Sequence, residues 1–462
     1  MRLSSRLVPV ALCAAAFFNP AIAAEDTAAD EKMLRALYTA ALTTSPAYEQ
    51  LRELTTRFPG RLSGSKNLEA AVLWGETILK ATGADRTELQ PVMVPHWERG
   101  APESVRYFTR QFVGIVPLTA VALGGSVPTP AGGLSAPVVE LQSLEALKTT
   151  DVKGKIVFFN RPMNPVHIVP GRAYGEAGDQ RSKGPAEAVK YGAVGVLVRS
   201  LTHARDDFPH TGNTSYPADG PRIPAAALST VGADNLSAAL KLDPGLTVEM
   251  KIHSRWLADA PSHNVIGELK GSAAPEKIIV IGGHLDSWDI APGAHDDGTG
   301  IVQSIEVLRL LKAVGYQPRH TVRVVLFTNE ENGLRGGAAY STAAKAKNEI
   351  HVLAIETDTG GFQPRGFNLG NPAGDAHLKA TRWLPLFEPY GIYYFQKGTG
   401  GADVGPLLAH GTTVAGLQPD SQRYFDIHHT VEDSFDKVNK RELELGAAAM
   451  TSLVYLVDQH GL

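Results

Sequence analysis

The amino-acid sequence predicts an α/β protein in which a mostly parallel central sheet, flanked by helices, carries an inserted β-rich module. After Pro261, uniformly apolar strands alternate with helical segments, which is the pattern of parallel strands buried on both faces. Between about residues 119 and 256, short apolar runs separated by glycine and proline predict a smaller β-rich unit. The chain has 462 residues, 43% of them apolar, enough for one large or two modest cores.

The first 23 residues predict a secretory signal peptide. Arg2 and Arg6 precede an apolar run over residues 7–18, and Ala21-Ile22-Ala23 has the small-x-small form of a cleavage site near Ala23/Ala24. An uncleaved amphipathic anchor is the alternative. Cys13 is the only cysteine and leaves with this segment, so the mature chain must hold any metal with His, Asp and Glu. We expect a periplasmic or secreted protein that has no contact with a membrane after cleavage.

The rest of the chain divides into a catalytic domain, residues 24–118 and 257–462, and an insert, residues 119–256. Apolar residues at three- and four-residue spacing predict a helix from Tyr48 to Phe58, which Pro59-Gly60 ends, and a second helix over 68–82. In the insert the predicted strands are 138–141, 155–159, 194–198, 225–228 and 248–252. In the α/β part the predicted strands are 277–281, 322–327, 352–355 and 413–416, with helices at 300–313 and 334–345.

Composition excludes some classes of function. The chain has 44 basic and 48 acidic residues, a net charge of −4, and no basic tract. A nucleic-acid surface is therefore not expected. The sequence leaves open a homodimer.

Polar residues cluster where the strands of the α/β half end. Taken singly, each has an ordinary structural explanation, such as a hydrogen-bonded surface pair or a helix cap. Their joint occurrence predicts a site, because ligands bind at the carboxyl ends of strands in open α/β sheets. The residues concerned are His284, Asp286, Asp296, Asp297, Glu330, Glu331, Asp358, His428, His429 and Asp433.

Two imidazoles and three carboxylates without a thiolate suit zinc, with cobalt or manganese as alternatives. Five ligands are too many for one tetrahedral catalytic zinc but fit two metals that share a carboxylate. Two metals about 3.5–4 Å apart can hold a hydroxide and polarise a carbonyl. Glu330 cannot point the same way as its neighbour Glu331, so it is free to act as general base. Asp286, two residues past His284, is placed to fix the tautomer of that imidazole.

Five ordered motifs carry a family resemblance: GGHLDSWD, GAHDDGTG, NEENG, ETDTG and HHTVED. The set resembles the co-catalytic zinc exopeptidases that include bacterial leucyl aminopeptidases and glutamate carboxypeptidase, and within them the plasma glutamate carboxypeptidase branch. The resemblance implies the zinc exopeptidase fold and two zinc ions per chain. It implies that His284, Asp296 and Asp358 hold one zinc. It further implies that His429, Asp296 and Glu331 hold the other, with Asp296 as bridge and Glu330 as base.

The same resemblance bears on the insert and on one peptide bond. Gly154-Lys-Ile-Val157 and residues 192–197 are similar to the strand motifs of a protease-associated domain. Such a domain shapes or covers the cleft of a zinc peptidase and is not itself catalytic. The family also implies a cis peptide bond before Asp297.

Several assignments stay open. His428 competes with His429 for the last ligand position. Consecutive side chains of an extended segment point opposite ways, and the His-Thr-x-x-Asp pattern selects His429. His295 is either a surplus ligand or a hydrogen-bonding neighbour of the bridge. Asp403 is a candidate for binding a substrate α-amino group, and Tyr424 for stabilising an oxyanion.

The sequence thus predicts an exported di-zinc metallo-exopeptidase that cleaves dipeptides or short peptides with a metal-bridged hydroxide and a glutamate general base. It does not separate an aminopeptidase from a carboxypeptidase or a strict dipeptidase, because the ligand set is common to all three. Two alternatives belong to other classes: a glutaminyl cyclase-like acyltransferase, and a non-catalytic receptor-like ectodomain on the same scaffold.

Overall fold

The computed structural model describes residues 20–108 and 114–462, with side chains from Thr27 onward. Residues 1–19, which carry most of the predicted signal peptide, lie outside the described residues. Of residues 20–26, only the backbone is described. Within the described part of the chain, no helix combines the length and the apolar character that a membrane span requires.

The described residues form sixteen strands. They are β1 (Arg86–Glu98), β2 (Ser104–Phe108), β3 (Ile115–Leu118), β4 (Ala120–Ala122), β5 (Leu134–Leu141), β6 (Ile156–Phe159), β7 (Gly195–Arg199), β8 (Ala225–Leu228), β9 (Thr247–Lys251), β10 (Arg255–Leu269), β11 (Ala274–His284), β12 (His320–Phe327), β13 (Ile350–Glu356), β14 (Pro364–Gly370), β15 (Tyr394–Lys397) and β16 (Thr413–Pro419).

Thirteen α-helices pack around these strands in the described chain. They are α1 (Pro20–Thr44), α2 (Ala47–Arg57), α3 (Lys66–Ala81), α4 (Pro170–Ala177), α5 (Asp179–Ser182), α6 (Gly184–Ala188), α7 (Thr230–Leu242), α8 (Thr299–Ala313), α9 (Arg335–Ala346), α10 (Ala376–Ala380), α11 (Leu384–Phe387), α12 (Tyr424–Ile427) and α13 (Lys440–His460).

The central sheet has the strand order β1-β10-β12-β11-β13-β16-β14-β15. The four middle strands, β12, β11, β13 and β16, pair in parallel. Antiparallel pairs lie towards the two sides, as β1 with β10, β10 with β12 and β16 with β14. The predicted α/β class with a parallel centre is confirmed.

Strand β11 shows why the middle strands read as uniformly apolar. Ile279 and Ile281 pack into the core beneath helices α2, α3, α8 and α13. Ile278 and Val280 point to the opposite face and pack with α9. Because successive side chains alternate between faces, a strand covered on both faces must be apolar at every position.

The connection between α2 and α3 turns sharply towards the end of the sheet. Gly60 has φ +63°, and a Cβ there would lie 2.6 Å from the backbone oxygen of Asp289. Helix α3 then begins at a capped terminus, where the Ser65 hydroxyl accepts the Leu68 N–H at 3.1 Å. This turn carries Arg61 beneath the loops that follow β11.

A second sheet has the order β3-β2-β9-β5-β6-β7-β8-β4 and is built from strands between Ser104 and Lys251. It includes β2 and β3, which precede residue 119, where the sequence analysis starts the insert. The chain leaves the central sheet at the end of β1 and re-enters it at the start of β10, with Glu98 paired to Arg255.

Several elements have no counterpart in the sequence analysis, namely the β1–β10 ribbon, α1, β14, β15 and α13. In β10 the first five residues are exposed, so no apolar alternation marks the strand there. Pro261, at which the sequence pattern changes, lies inside β10 opposite Met93. Exposed ribbons of this kind are stabilised by pairing rather than by burial and leave little trace in hydropathy.

Candidate metal centre and active site

The carboxyl ends of the parallel strands meet at one edge of the central sheet. His284 ends β11 opposite Phe327, which ends β12. Glu356 ends β13 opposite Gly282 of β11. Because parallel strands in register end side by side, the loops that follow them converge. The five residues predicted as metal ligands lie together there, with His284, Asp296, Glu331 and His429 buried and Asp358 partly exposed.

One group of candidate ligands surrounds His284. Its Nε2 lies 3.1 Å from Oδ1 of Asp296 and 3.5 Å from Oδ1 of Asp358. One ligand atom from each of these three residues lies within 4.8 Å of the others. This spacing is the one that a single divalent cation at roughly 2.0–2.2 Å from each donor would need.

A second group surrounds His429 and shares Asp296 with the first. Nε2 of His429 lies 3.2 Å from Oδ2 of Asp296 and 3.2 Å from Oε2 of Glu331. Asp296 therefore turns its two carboxylate oxygens to different histidines, Oδ1 to His284 and Oδ2 to His429. Asp296 thus lies between the two groups of candidate ligands.

Both members of the histidine pair face Asp296. Nε2 of His428 lies 3.4 Å from Oδ2 of Asp296, and the rings of His428 and His429 stack at 3.6 Å. The two histidine side chains do not point opposite ways, as was expected of an extended segment, because His429 has φ +63° and the segment is not extended. His429 contacts the Glu331 carboxylate as well, which is the geometric difference between the two histidines.

Asp297 and Asp433 hold the loop that carries Asp296. The Asp297 carboxylate accepts the His284 N–H at 3.0 Å and the Gly300 N–H at 3.0 Å, at the start of α8. The Asp433 carboxylate accepts the N–H groups of His295 at 2.7 Å and Asp296 at 3.0 Å. Burial, together with the nearby Asp296 charge, raises the pKa of Asp433 to about 7. The peptide bond between Asp296 and Asp297 is cis.

Asp286 acts on the site differently from what its spacing suggests. The Nδ1–H of His284 has the backbone oxygen of Asp286 as its acceptor at 3.0 Å, whereas the Asp286 carboxylate is 3.8 Å away. That carboxylate instead accepts the N–H groups of Glu330 at 3.0 Å and Glu331 at 3.3 Å. The Asp286 side chain thus positions the base candidate and one ligand candidate.

The electrostatics of the cluster fit divalent cations. Burial and the neighbouring Asp296 charge raise the pKa of Glu331 to about 7. Burial raises the pKa of Asp358 and, to a larger extent, that of Glu330. Oε1 of Glu331 and Oδ1 of Asp358 are buried and accept no hydrogen bond from the described residues. Crowded carboxylates with free oxygens are costly unless a cation neutralises them, so the donor set fits bound metal.

A cavity of about 640 Å³ opens onto both groups. The loops at this edge of the central sheet contribute part of its walls, namely Asp296, Glu330, Glu331, Asp358, Tyr424, His428 and His429. The inserted module contributes Tyr174, Arg181, Asn213 and Ser215. Nη2 of Arg181 donates to the Tyr174 hydroxyl at 2.6 Å, and Nη1 of Arg181 donates to the backbone oxygen of Thr211 at 3.3 Å. No sequence pattern singles out these module residues, since they reach the site only through the tertiary fold.

The remaining candidates lie in different surroundings. Tyr424 lines the cavity. Asp403 does not line it: the residue is 1% exposed, and its Oδ1 accepts the Gly337 N–H at 3.2 Å. The expectation that Asp403 contacts substrate is therefore not supported, because its loop is folded against the Glu356 carboxylate, which accepts the Asp403 N–H at 2.9 Å.

His295 belongs to neither ligand group. Its ring stacks on Phe362 at 4.3 Å, and its Nδ1 accepts the Gly361 N–H at 3.1 Å. Burial lowers the pKa of His295 to about 4. Of the two interpretations of this residue, the geometry favours the hydrogen-bonding neighbour.

An α/β sheet that brings buried histidines and carboxylates together beneath an open cavity defines a metal-dependent hydrolase. Comparison with known proteins narrows this class, since residues 264–454 match peptidase family M28. The chain is 34% identical to carboxypeptidase Q of Bos taurus over 89% of its own length and 85% of the relative. Carboxypeptidase Q of Xenopus laevis is 35% identical over the same shares. The chain belongs to peptidase family M28, and it is a metallopeptidase.

Solved structures agree with this assignment. The peptidase M28 precursor from Shewanella amazonensis SB2B superimposes with a TM-score of 0.89 at 34% identity, over 94% of this chain and 98% of that one. BSAP, a zinc aminopeptidase from Bacillus subtilis, has a TM-score of 0.65 at 21% identity, over 90% of this chain and 95% of that one. The second likeness shows the shared fold.

Proposed function

We propose that this protein is an exported di-zinc exopeptidase that hydrolyses dipeptides or short peptides. The observation that carries the proposal is the Asp296 carboxylate, whose two oxygens face two separate groups of ligands. His284 and Asp358 complete one group, and His429 and Glu331 complete the other. The nitrogen and oxygen donors suit zinc, and a zinc aminopeptidase with this fold supports that choice.

When bound, the zinc ions supply Lewis acidity, which polarises the scissile carbonyl and acidifies water. Glu330 lines the cavity, and its backbone N–H is held by Asp286. It is the residue that takes a proton from the attacking water and then delivers it to the leaving amine. Tyr424 lines the same cavity and is the candidate donor to the developing oxyanion.

The cavity wall supports a substrate with a free α-carboxylate. Among the described residues that line the cavity, Arg181 alone carries a permanent positive charge. Its guanidinium is held by neutral oxygens, those of Tyr174 and Thr211, so its charge is available to a ligand. A guanidinium recognises a carboxylate through paired hydrogen bonds. This favours a dipeptidase or carboxypeptidase over an aminopeptidase.

The second sheet supports an inserted, protease-associated-like module. We place it at residues 104–251, earlier at its start than the 119–256 of the sequence analysis, because β2 and β3 pair within that sheet. Export rests on the signal-like segment before Ala24. N-terminal sequencing of the mature protein tests it, and a chain that keeps Met1 in the cell envelope would count against cleavage.

The decisive experiment is hydrolysis of Leu-Leu, compared with its N-acetylated and C-amidated forms, with and without chelator. We expect chelator-sensitive cleavage of the free dipeptide and poor cleavage of the amidated form. Equal cleavage of the free and amidated forms would show that Arg181 does not recognise the α-carboxylate of the substrate. If protein shown to hold two metals cleaves none of these peptides, the cyclase and receptor alternatives are favoured instead. Release of ammonia from a peptide with N-terminal glutamine would then identify cyclase activity.

The role of Glu330 is tested separately. Glu330→Gln should lower kcat by at least about 100-fold, since general base catalysis contributes roughly 10²–10⁴-fold, with metal content unchanged. Glu276→Gln, an exposed acid at the far end of β11, is the matched control and should behave as wild type. Near-normal turnover of Glu330→Gln would overturn the assignment.

A further inference from the structure

We infer that the inserted module holds the candidate ligand His429 in place through Thr211, so that one metal position depends on the module and the other does not. The inference rests on the two ligand groups of the proposed function. It goes beyond a covering role for the module, because it makes a module residue a positioning residue for one metal.

Thr211 and His429 form a reciprocal pair across 218 residues of sequence. The backbone N–H of Thr211 donates to the backbone oxygen of His429 at 3.0 Å. In return, the Nδ1–H of His429 donates to the backbone oxygen of Thr211 at 3.3 Å. With Nδ1 protonated and engaged, the lone pair of Nε2 points towards Asp296 and Glu331. A histidine ligand needs this kind of partner, which selects the tautomer and fixes the ring.

Thr211 is itself firmly anchored. It is fully buried, and its hydroxyl donates to the Ala122 oxygen at 2.9 Å. Arg99 donates to the same Ala122 oxygen at 2.6 Å and contacts the Thr211 hydroxyl at 3.5 Å. Arg99 also binds both carboxylate oxygens of Asp289 at 2.7 Å. This network ties Thr211 to the loop that follows β11.

The next residue leaves no room for the segment to shift. Gly212 has φ +138°, and a Cβ there would lie 2.5 Å from the Arg181 guanidinium carbon. The Gly212 oxygen accepts the Gly124 N–H at 3.0 Å. The segment 211–212 is thus held on both sides, by Arg181 and by Gly124.

Among the described residues, the bonded partners of His284 in the other ligand group lie outside the module. The partner of His284 is the backbone oxygen of Asp286, two residues along the same loop. The backbone N–H of His284 is held by Asp297, which is also in the catalytic part. Losing the Thr211 anchor should therefore weaken metal binding at the His429 position selectively.

The test is stepwise titration of the metal-free full-length protein with Zn²⁺, followed by calorimetry, and with Co²⁺, followed by its visible absorption. His429→Ala and Asp358→Asn assign the two binding steps. Thr211→Val keeps the shape and removes the hydroxyl. It leaves in place the Thr211 backbone oxygen that accepts from Nδ1 of His429, and it removes the hydroxyl bond that anchors Thr211 to Ala122. Because the partner is loosened and not lost, we expect the His429 step to weaken about 10-fold, the lower end of the cost of disturbing an outer partner of a ligand, and the other step to stay within about threefold. Thr211→Ser should restore wild-type binding.

Two further variants separate positioning from folding. Thr230→Val removes another buried module hydroxyl, one that donates to the Ala204 oxygen at 3.0 Å. It should lower the melting temperature of the metal-free protein without changing either binding step. Gly212→Ala perturbs the same segment independently and should reproduce the selective loss.

The outcomes are distinct. Equal weakening of both steps, or no weakening, in Thr211→Val and Gly212→Ala would overturn the inference while leaving a two-metal peptidase in place. Wild-type protein that binds fewer than two metals would instead overturn the proposed function.

Discussion

Replacing Arg61 tests how the loops beneath the site are held. Its guanidinium is fully buried and donates to four backbone oxygens. Three of them belong to the loop that leads from β11 to Asp296. The acceptors are Pro292 at 2.7 Å, Leu285 at 2.8 Å, Gly293 at 3.1 Å and Phe58 at 3.3 Å. Burial lowers the pKa of Arg61 to about 10, against the opposing effect of nearby carboxylates, chiefly Asp433. The side chain is therefore charged at neutral pH.

The structure gives the size of the effect. Arg61→Met removes three good charge-assisted hydrogen bonds, each worth roughly 1.5–3 kcal/mol, and water entering the gap restores part of the loss. We expect a loss of about 4 kcal/mol in the free energy of unfolding. Arg61→Lys keeps the charge but replaces the planar fork by a point ammonium, so about half of that loss, roughly 2 kcal/mol, is expected.

Urea denaturation of the zinc-saturated protein, followed by tryptophan fluorescence, measures both values. Arg57→Met is the matched control: Arg57 is an exposed residue at the end of α2, and its replacement should cost less than about 1 kcal/mol. If Arg61→Met unfolds within about 1 kcal/mol of wild type, the four backbone contacts do not hold the loops as argued.

Three further predictions follow from buried contacts. Burial lowers the pKa of His351 from 6.5 to about 4, so its stabilising effect is complete above pH 6.5 and is lost as pH falls towards 4. Over that pH range the free energy of unfolding of the wild type should fall by about 3 kcal/mol more than that of His351→Gln. Urea midpoints that change with pH equally in the two proteins would refute this prediction. Gly124→Ala places a Cβ 2.0 Å from the Trp288 ring, which packs on His429. The melting temperature and kcat should both fall. An unchanged kcat would show that the Trp288 ring does not hold His429 in its active position. Asp433→Asn leaves one of two backbone N–H groups facing an amide NH₂. This change should lower the free energy of unfolding by about 2 kcal/mol and weaken zinc binding, as measured by calorimetry. An unchanged zinc affinity would show that Asp433 does not position Asp296.

Local pattern predicted the parallel half of the fold well. The helices at 48–58 and 68–82 and the strands that start near 277, 322, 352 and 413 are present with shifted ends. These elements are buried, and burial imposes a periodicity that hydropathy reveals. The β1–β10 ribbon has no counterpart in the predicted strands because the first five residues of β10 are exposed.

For the site, the sequence by itself determined the chemistry: which strand ends carry histidine and carboxylate, and that the one cysteine, Cys13, is far from them in sequence. Those features follow from residue type and spacing along single strands. Only the tertiary structure decided that His428 and His429 both face Asp296, that Asp403 does not line the cavity, and that the module brings Arg181 and Thr211 to the site. The physical reason is that these contacts join segments up to 218 residues apart, and local periodicity carries no information about which distant loops meet.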